Sequence, residues 1–163
     1  PVPRPRSQGC LPAATKALHE LVRRFPNVAF HQTTQRFAVG TIGNLVVIYD
    51  LRTATKWRIL KGHDAPVAAV SFSPTGDQLL SYSPEDPSIR IWQVASSGFF
   101  GMLGITGRCL HTFRSEIKRT PHADNHLRWL QCCHFKWLSP QLVVLMREDR
   151  SKLRVDVQRK ELS

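Results

Sequence analysis

Short, strand-like segments recur along this chain in groups of four, and this repetition restricts the fold more than any other feature. The first group is NVAFHQ, RFAVGT, NLVVIYDL and KWRILKG, and the second is PVAAVSFS, QLLSYS, SIRIWQV and CLHTFR. Phe72 lies 42 residues after Phe30, and Trp92 lies 43 residues after Tyr49. Four strands in a period of about 40–45 residues are typical of β-propeller blades. The chain is therefore predicted to be all-β.

A third group of strands follows after two insertions. FKWLSPQLVVL, which begins at Phe135, parallels FSPTGDQLLSY, which begins at Phe72. The insertions are an apolar segment, 95–108, and a polar segment, 115–126. Three blades cannot close a ring, because propellers typically contain about four to eight. The missing blades are expected to come either from the rest of a parent chain or from another chain.

The segments before the blades have a different character. Alternating prolines in residues 1–12 predict a disordered or linking arm. Apolar residues then recur every three or four positions between Leu18 and Phe25, which predicts a short amphipathic helix over 13–25. The remaining chain is divided into blade one, blade two with the apolar insertion, a polar loop with a divergent blade three, and a tail: 26–62, 63–114, 115–158 and 159–163.

The most informative stretch of blade two is KGHDAPVAAVSFSPTGDQLLSYSPEDPSIRIWQ. A histidine before the first strand can hydrogen-bond a hydroxyl on the second strand, and that hydroxyl can meet an aspartate in the next turn. A tryptophan N–H can close the network, and each buried polar atom then has a partner. The predicted members of this structural network are His63, Ser81 or Ser83, Asp86 and Trp92.

Serine, histidine and aspartate in one short span also suggest a nucleophilic triad. Neither a GxSxG motif nor a strained strand–turn–helix that presents a serine accompanies them. His122, Asp124 and His126 could approach a metal, but a polar loop is the favoured interpretation. The four cysteines have no CxxC spacing. The protein is therefore predicted not to be an enzyme and to hold neither metal nor cofactor.

The same stretch resembles a WD repeat along its full length, through Gly62-His63, the FSPTG turn at 72–76, Asp86 and the IRIW strand at 89–92. The other two copies depart from this pattern. Gly43 stands where the first copy would have its turn aspartate, and Asp156 stands at the tryptophan position of the third. These two blades are expected to be held by packing alone.

The order of parts resembles the carboxyl-terminal end of the rabconnectin-3 beta family. A helix leads into RFAVGTIGNLVVIYDLRTATKWRILKGH, blade two follows, and then come GFFGMLG, RCLHTF and a blade containing LVVLM. The resemblance implies a long scaffold that acts with a larger rabconnectin-type WD-repeat partner. It also implies binding to the vacuolar-type proton ATPase, a role in its assembly and in vesicle acidification, and a cytoplasmic location, peripheral on vesicle or endosomal membranes.

The net charge of +11, from 23 basic and 12 acidic residues, favours acidic partners. RNA or another nucleic acid is the alternative partner, although basic residues do not interleave with aromatic ones on one strand. No apolar run approaches the ~20 residues of a membrane-spanning helix, so no transmembrane segment is predicted. Protein partners are expected at the loops 61–66 and 83–88, with Lys61, Asp64 and Glu85 as the contact residues.

Overall fold

The computed structural model describes residues 27–95, 107–114, 132–147 and 149–163. These residues form three antiparallel sheets of four strands each, and each sheet follows the order of the chain. This is the architecture of a partial β-propeller with three blades. The predicted arm and helix lie outside the described residues, as do the polar insertion and residues 96–106 of the apolar insertion.

Eleven of the twelve strands of the described residues fall within the segments predicted for the three blades. Blade one contains β1 (Val28–His31), β2 (Arg36–Gly40), β3 (Leu45–Asp50) and β4 (Thr55–Lys61). Blade two contains β5 (Ala69–Phe72), β6 (Gln78–Ser83), β7 (Ser88–Gln93) and β8 (Arg108–Arg114). Blade three contains β9 (His134–Trp137), β10 (Leu142–Met146), β11 (Lys152–Asp156) and β12 (Glu161–Leu162).

The prediction that 159–163 is a tail is wrong, because this segment supplies the fourth strand of blade three. Leu162 pairs with Val155, and the backbones of Arg154 and Ser163 exchange hydrogen bonds of 2.7 and 2.9 Å. Asp156 holds the intervening turn by accepting the N–H groups of residues 158 and 159 at 3.0 and 2.8 Å. A two-residue strand of exposed side chains has no apolar alternation by which it could be recognised.

The hydrophobic core lies between the blades. The first cluster joins blade one to blade two and contains Ala38, Val46, Ile48, Leu60, Val67, Val70, Phe72, Leu79, Trp92 and Val94. The second cluster joins blade two to blade three and includes Leu80, Tyr82, Ile89, Ile91, Phe113, Val143, Leu145 and Val155. Successive residues of a strand point to opposite faces. Both faces of blade two are therefore buried, which explains why QLLSYS is apolar or small at almost every position.

Two polar contacts also link neighbouring blades. The indole N–H of Trp137 in blade three donates to the Ser71 hydroxyl of blade two at 3.0 Å. On the other side, the Nε2 atom of His31 in blade one lies 3.1 Å from the Pro74 carbonyl oxygen in blade two. The His31 ring fills the space beside Gly76, where a Cβ atom would come within 2.4 Å of the imidazole.

The second face of blade one is apolar and partly exposed. Val39, Val47 and Ile59 form one cross-strand row on this face, and Tyr49 lies on the same side. Ile59 is 44% exposed and Tyr49 is 36% exposed. These residue types are similar to those that are buried between blades one and two. This face is therefore suited to pack against a further blade.

Candidate functional site

A chain of hydrogen bonds, which we call the relay, runs through the face of blade two that packs on blade one. The Trp92 indole N–H donates to the Ser81 hydroxyl oxygen at 2.8 Å. The same oxygen lies 2.7 Å from His63 Nε2, and His63 Nδ1 lies 2.8 Å from Asp86 Oδ2. A carboxylate only accepts, so His63 Nδ1–H donates to Asp86. Nε2 is then the acceptor for the Ser81 O–H, and every polar atom of the relay is satisfied.

Four elements bring the members of the relay together. His63 lies in the loop between β4 and β5, Ser81 on β6, Asp86 in the turn after β6 and Trp92 on β7. The glycine before the histidine allows the loop to approach closely, because a Cβ atom at Gly62 would lie 3.1 Å from Cη2 of Trp92. A larger residue there would push the loop away from the indole.

The relay differs in its order from the predicted network. The aspartate was expected to meet the Ser81 hydroxyl, whereas His63 lies between the two and touches both. Ser83, the alternative hydroxyl, instead accepts the backbone N–H of Asp86 at 3.4 Å. The histidine ring spans the gap because its two nitrogen atoms point to opposite sides, one toward the strand and one toward the turn.

Ser88 is a member of the relay that the sequence interpretation missed. Its hydroxyl donates to Asp86 Oδ2 at 2.7 Å and lies 3.2 Å from His63 Nδ1. The backbone N–H of Asp64 also reaches Asp86 Oδ2, at 3.3 Å. A serine two residues after an aspartate in a turn is a recognisable signal, since short polar side chains in turns hydrogen-bond their near neighbours.

Burial controls the protonation states of the relay. Desolvation lowers the pKa of His63 below its ordinary value, although Asp86 acts in the opposite direction through its hydrogen bond and its charge. Desolvation alone would raise the pKa of Asp86, but hydrogen bonds from Ser88, His63 and the Asp64 N–H together lower it. The relay therefore pairs a neutral imidazole with an ionised carboxylate at neutral pH.

The serine, histidine and aspartate of the relay are connected as in a nucleophilic triad, but the serine hydroxyl is not accessible to a substrate. Ser81 is 0% exposed, and its oxygen is already bonded to the Trp92 N–H. A substrate carbonyl could reach this hydroxyl only after the indole was displaced. Among the residues that the structure describes, no group of three or more metal-ligating side chains could hold an ion. The geometry of the relay is that of a structural network.

The proposed contact residues lie on the two segments that the relay joins. Lys61 is exposed at the end of β4, Asp64 is exposed in the loop that follows, and Glu85 is partly exposed in the turn between β6 and β7. The hydrogen bonds from His63 and the Asp64 N–H to Asp86 cross directly from the loop to the turn. Side chains on both segments are thereby presented from a rigid support.

Blades one and three lack the relay, but packing is not their only support, contrary to the prediction. In blade one the Arg52 guanidinium binds both carboxylate oxygens of Asp50, at 3.1 and 2.6 Å, and closes the turn after β3. The side-chain hydrogen bond from Arg52 is the main reason that the pKa of Asp50 falls to about 2. Blade three uses the Trp137–Ser71 hydrogen bond described above.

The fold is that of a partial β-propeller, and the relay segment is similar to a WD repeat. Residues 54–93 match the family described as WD domain, G-beta repeat, and this segment comprises β4 to β7 with the whole relay. The family match includes the strand before the histidine because the repeat begins with the outer strand of the preceding blade.

Several characterised proteins are similar to parts of the chain. WD repeat and HMG-box DNA-binding protein 1 of Xenopus laevis is 32% identical over 90 residues, which are 55% of this chain and 8% of that protein. WD repeat-containing protein 1 of Gallus gallus is 38% identical over 78 residues, which are 45% of this chain and 13% of that protein. The chain thus spans a small fraction of the length of these relatives.

The fold is also similar to a solved propeller. The crystal structure of RRP9 WD40 repeats superposes with a TM-score of 0.61 at 16% sequence identity. The match covers 83% of this chain and 34% of that one. Three blades therefore correspond to about a third of the solved chain, in agreement with a partial propeller. Within the described residues, no helix is long and apolar enough to cross a membrane.

Proposed function

We propose that this protein is a non-enzymatic WD-repeat scaffold whose rigid loops bind protein partners. The observation that carries the proposal is the direct bonding of the His63 loop to the Asp86 turn through one buried carboxylate oxygen. Binding loses less conformational entropy when the contacting loops are already ordered. Lys61 at the end of β4, Asp64 in this loop and Glu85 in this turn are the proposed contacts.

The apolar second face of blade one supports a further part of the proposal. Ile59 and Tyr49 are exposed there to an extent that is unusual for a core-like row. A further blade, from the rest of a parent chain or from another chain, would bury them as blade two buries the opposite face. Such a blade is itself a partner that the three blades require for a closed ring.

The finer proposal concerns the assembly to which the scaffold belongs. The resemblance of the blade sequences and of GFFGMLG to the rabconnectin-3 beta family supports a role in assembly of the vacuolar-type proton ATPase and in vesicle acidification. A larger rabconnectin-type WD-repeat protein and ATPase subunits are then the proposed partners. The proposed location is cytoplasmic, peripheral on vesicle or endosomal membranes.

Affinity capture of the full-length protein from cytosol tests both levels of this proposal. A charge exchange, Lys61→Glu with Asp64→Lys, changes the proposed surface without altering net charge. The matched control, Lys152→Glu with Glu161→Lys, makes the same exchange at two exposed positions of blade three. We expect the first exchange alone to abolish capture of the partner.

The identity of the captured proteins separates the two levels. Recovery of proton-pump subunits with a larger WD-repeat protein would support the finer proposal, and recovery of other proteins would leave only the general scaffold. Equal capture by both charge-exchange variants would show that the loops are not the contact surface.

A nucleic-acid partner is the second candidate function. The net charge of +11 supports it, and one relative is named as a DNA-binding protein that combines WD repeats with an HMG box. Binding to phosphates releases counterions, so the affinity for RNA or DNA should fall linearly with the logarithm of salt concentration. A salt titration with single-stranded RNA tests this candidate, and absence of binding at low salt would eliminate it.

A further inference from the structure

Blade one contains an unbalanced cluster of positive charge around a single tryptophan. The guanidinium carbon of Arg36 lies 3.5 Å from the centre of the Trp57 ring, and that of Arg58 lies 4.5 Å from it. Both contacts are within the range of cation–π attraction. Asp50 is an acidic side chain that acts on Arg36, and Arg52 already donates to both of its carboxylate oxygens.

Several donors of this cluster are buried without a hydrogen-bond partner in the part of the chain that is described. They are Nε and Nη1 of Arg36 and Nε of Arg58. Burial is also the main influence that lowers the pKa of Arg36, and the charges of Arg52 and Arg58 add to it while Asp50 opposes it. Buried donors are normally satisfied. The mutual repulsion of the guanidinium groups around Trp57 would be relieved by an anion beside them.

A groove lies next to this cluster, between the outer strands of blades one and two. It has a volume of about 410 Å³ and is lined by Lys56, Trp57, Arg58, Ile59 and Gly107. Gly107 precedes β8, and its missing side chain leaves space beside the arginine, since a Cβ atom there would lie 3.7 Å from Arg58 Cδ. The groove therefore combines two cationic side chains with an aromatic ring and an aliphatic wall.

We propose that this groove binds the phosphate group of a phosphorylated serine or threonine on a protein partner. The planar guanidinium of Arg58 can donate two parallel hydrogen bonds to a phosphate, and Lys56 adds a charge at the rim. This inference rests on the proposed scaffold function and adds the chemistry of the bound segment.

A peptide fits the groove better than a polynucleotide does. Single-stranded nucleic acids are bound by extended basic tracks with several aromatic side chains that stack on successive bases. The groove has one aromatic side chain, Trp57. The guanidinium groups of Arg36 and Arg58 already lie over its ring. One arginine and one lysine beside a single aromatic ring provide the charge for one phosphate group.

Calorimetric titration of the full-length protein with a pool of short peptides containing one central phosphoserine tests the proposal. The unphosphorylated pool and single-stranded RNA of equal charge serve as the other ligands. Arg58→Gln should weaken phosphopeptide binding about 10–100-fold, which corresponds to the loss of charge-assisted hydrogen bonds. Lys56→Gln, an exposed change that leaves the Trp57 contacts intact, should weaken it about 2–5-fold.

Lys136→Gln is the matched control, because it removes an exposed positive charge from blade three. Preference for the phosphorylated pool, weakened by both groove variants and unchanged in the control, would support the proposal. Equal binding of both pools, equal loss in the control, or tighter binding of RNA would overturn it. If phosphopeptide binding fails while partner capture still depends on Lys61 and Asp64, this inference falls and the scaffold function stands.

Discussion

The Trp92 indole N–H reaches the Ser81 hydroxyl at 2.8 Å along a diagonal of the sheet of blade two. Trp92 is paired with Leu79 and Ser81 with Arg90, so the two residues share a face without being direct cross-strand partners. The diagonal leaves the imidazole of His63 room to approach Ser81 from the loop. One hydroxyl consequently joins two strands and the loop that precedes them.

Replacement of Trp92 by alanine should remove both packing and a hydrogen bond. The residue is 1% exposed, so its loss leaves a cavity and an unsatisfied Ser81 oxygen. We expect the free energy of unfolding to fall by about 3–5 kcal/mol. Chemical denaturation measures the change, and Trp92→Phe, which keeps a ring but lacks the N–H, should lose distinctly less. An unchanged stability in the alanine variant would contradict a buried relay.

Ser81→Ala should destabilise the protein mainly because two buried polar groups lose their hydrogen-bond partner, and not because a cavity is created. The Trp92 N–H and His63 Nε2 would both lose their partner, at a cost of about 1–3 kcal/mol. The Ser83→Ala variant is the control, since among the described residues that hydroxyl accepts a single hydrogen bond, of 3.4 Å. Thermal denaturation of the two variants distinguishes these roles, and a larger effect at Ser83 would be inconsistent with the relay.

The protonation of His63 should make stability fall as the solution is acidified. Burial lowers the pKa of the folded histidine below its ordinary value of 6.5, so the unfolded state binds more protons just below that pH. Stability therefore rises with pH through this window and is fully present above about pH 6.5. Denaturation at a series of pH values should show this slope, and His63→Gln should reduce it. An identical slope in the variant would exclude His63 as its source.

The Asp50–Arg52 pair should contribute stability that disappears in acid. The folded pKa of Asp50 is about 2, below its ordinary value of 3.8. Its contribution is thus fully present above about pH 4 and is lost as the pH falls toward 2. Asp50→Asn should be less stable at neutral pH and should approach the wild type in acid. Asp64→Asn, at an exposed carboxylate, controls for the general effect of removing one negative charge.

Much of blade two could be predicted because its signals are local. Short turns in an antiparallel meander keep each strand next to its predecessor, so the positions of His63, Ser81, Asp86 and Trp92 within one blade follow from their spacing. Ser88 was not predicted because its partner, Asp86, was assigned to the Ser81 hydroxyl. The strand Glu161–Leu162 was not predicted because its stability comes from backbone pairing with β11 and not from an apolar pattern.

Contacts between blades could not be derived in this way. The Trp137 N–H and the Ser71 hydroxyl are 66 residues apart in sequence, and each looks like an ordinary strand residue. The groove beside Trp57 likewise depends on Gly107, which lies near the end of the apolar insertion and reaches blade one only when the two sheets pack. A repeat period predicts the sheets, but it does not predict which side chains of neighbouring sheets contact each other.

The amino-acid sequence by itself determined three blades in their order, with all four strands of the first two and three strands of the third. It also determined the four named members of the relay, because strand periodicity and turn chemistry act over a few residues. Only the tertiary structure decided that His63 lies between Ser81 and Asp86, that both faces of blade two are buried, and that Arg36, Trp57 and Arg58 gather beside a groove. These arrangements depend on distances between sheets and on the satisfaction of buried polar atoms, and such quantities arise only when the blades pack.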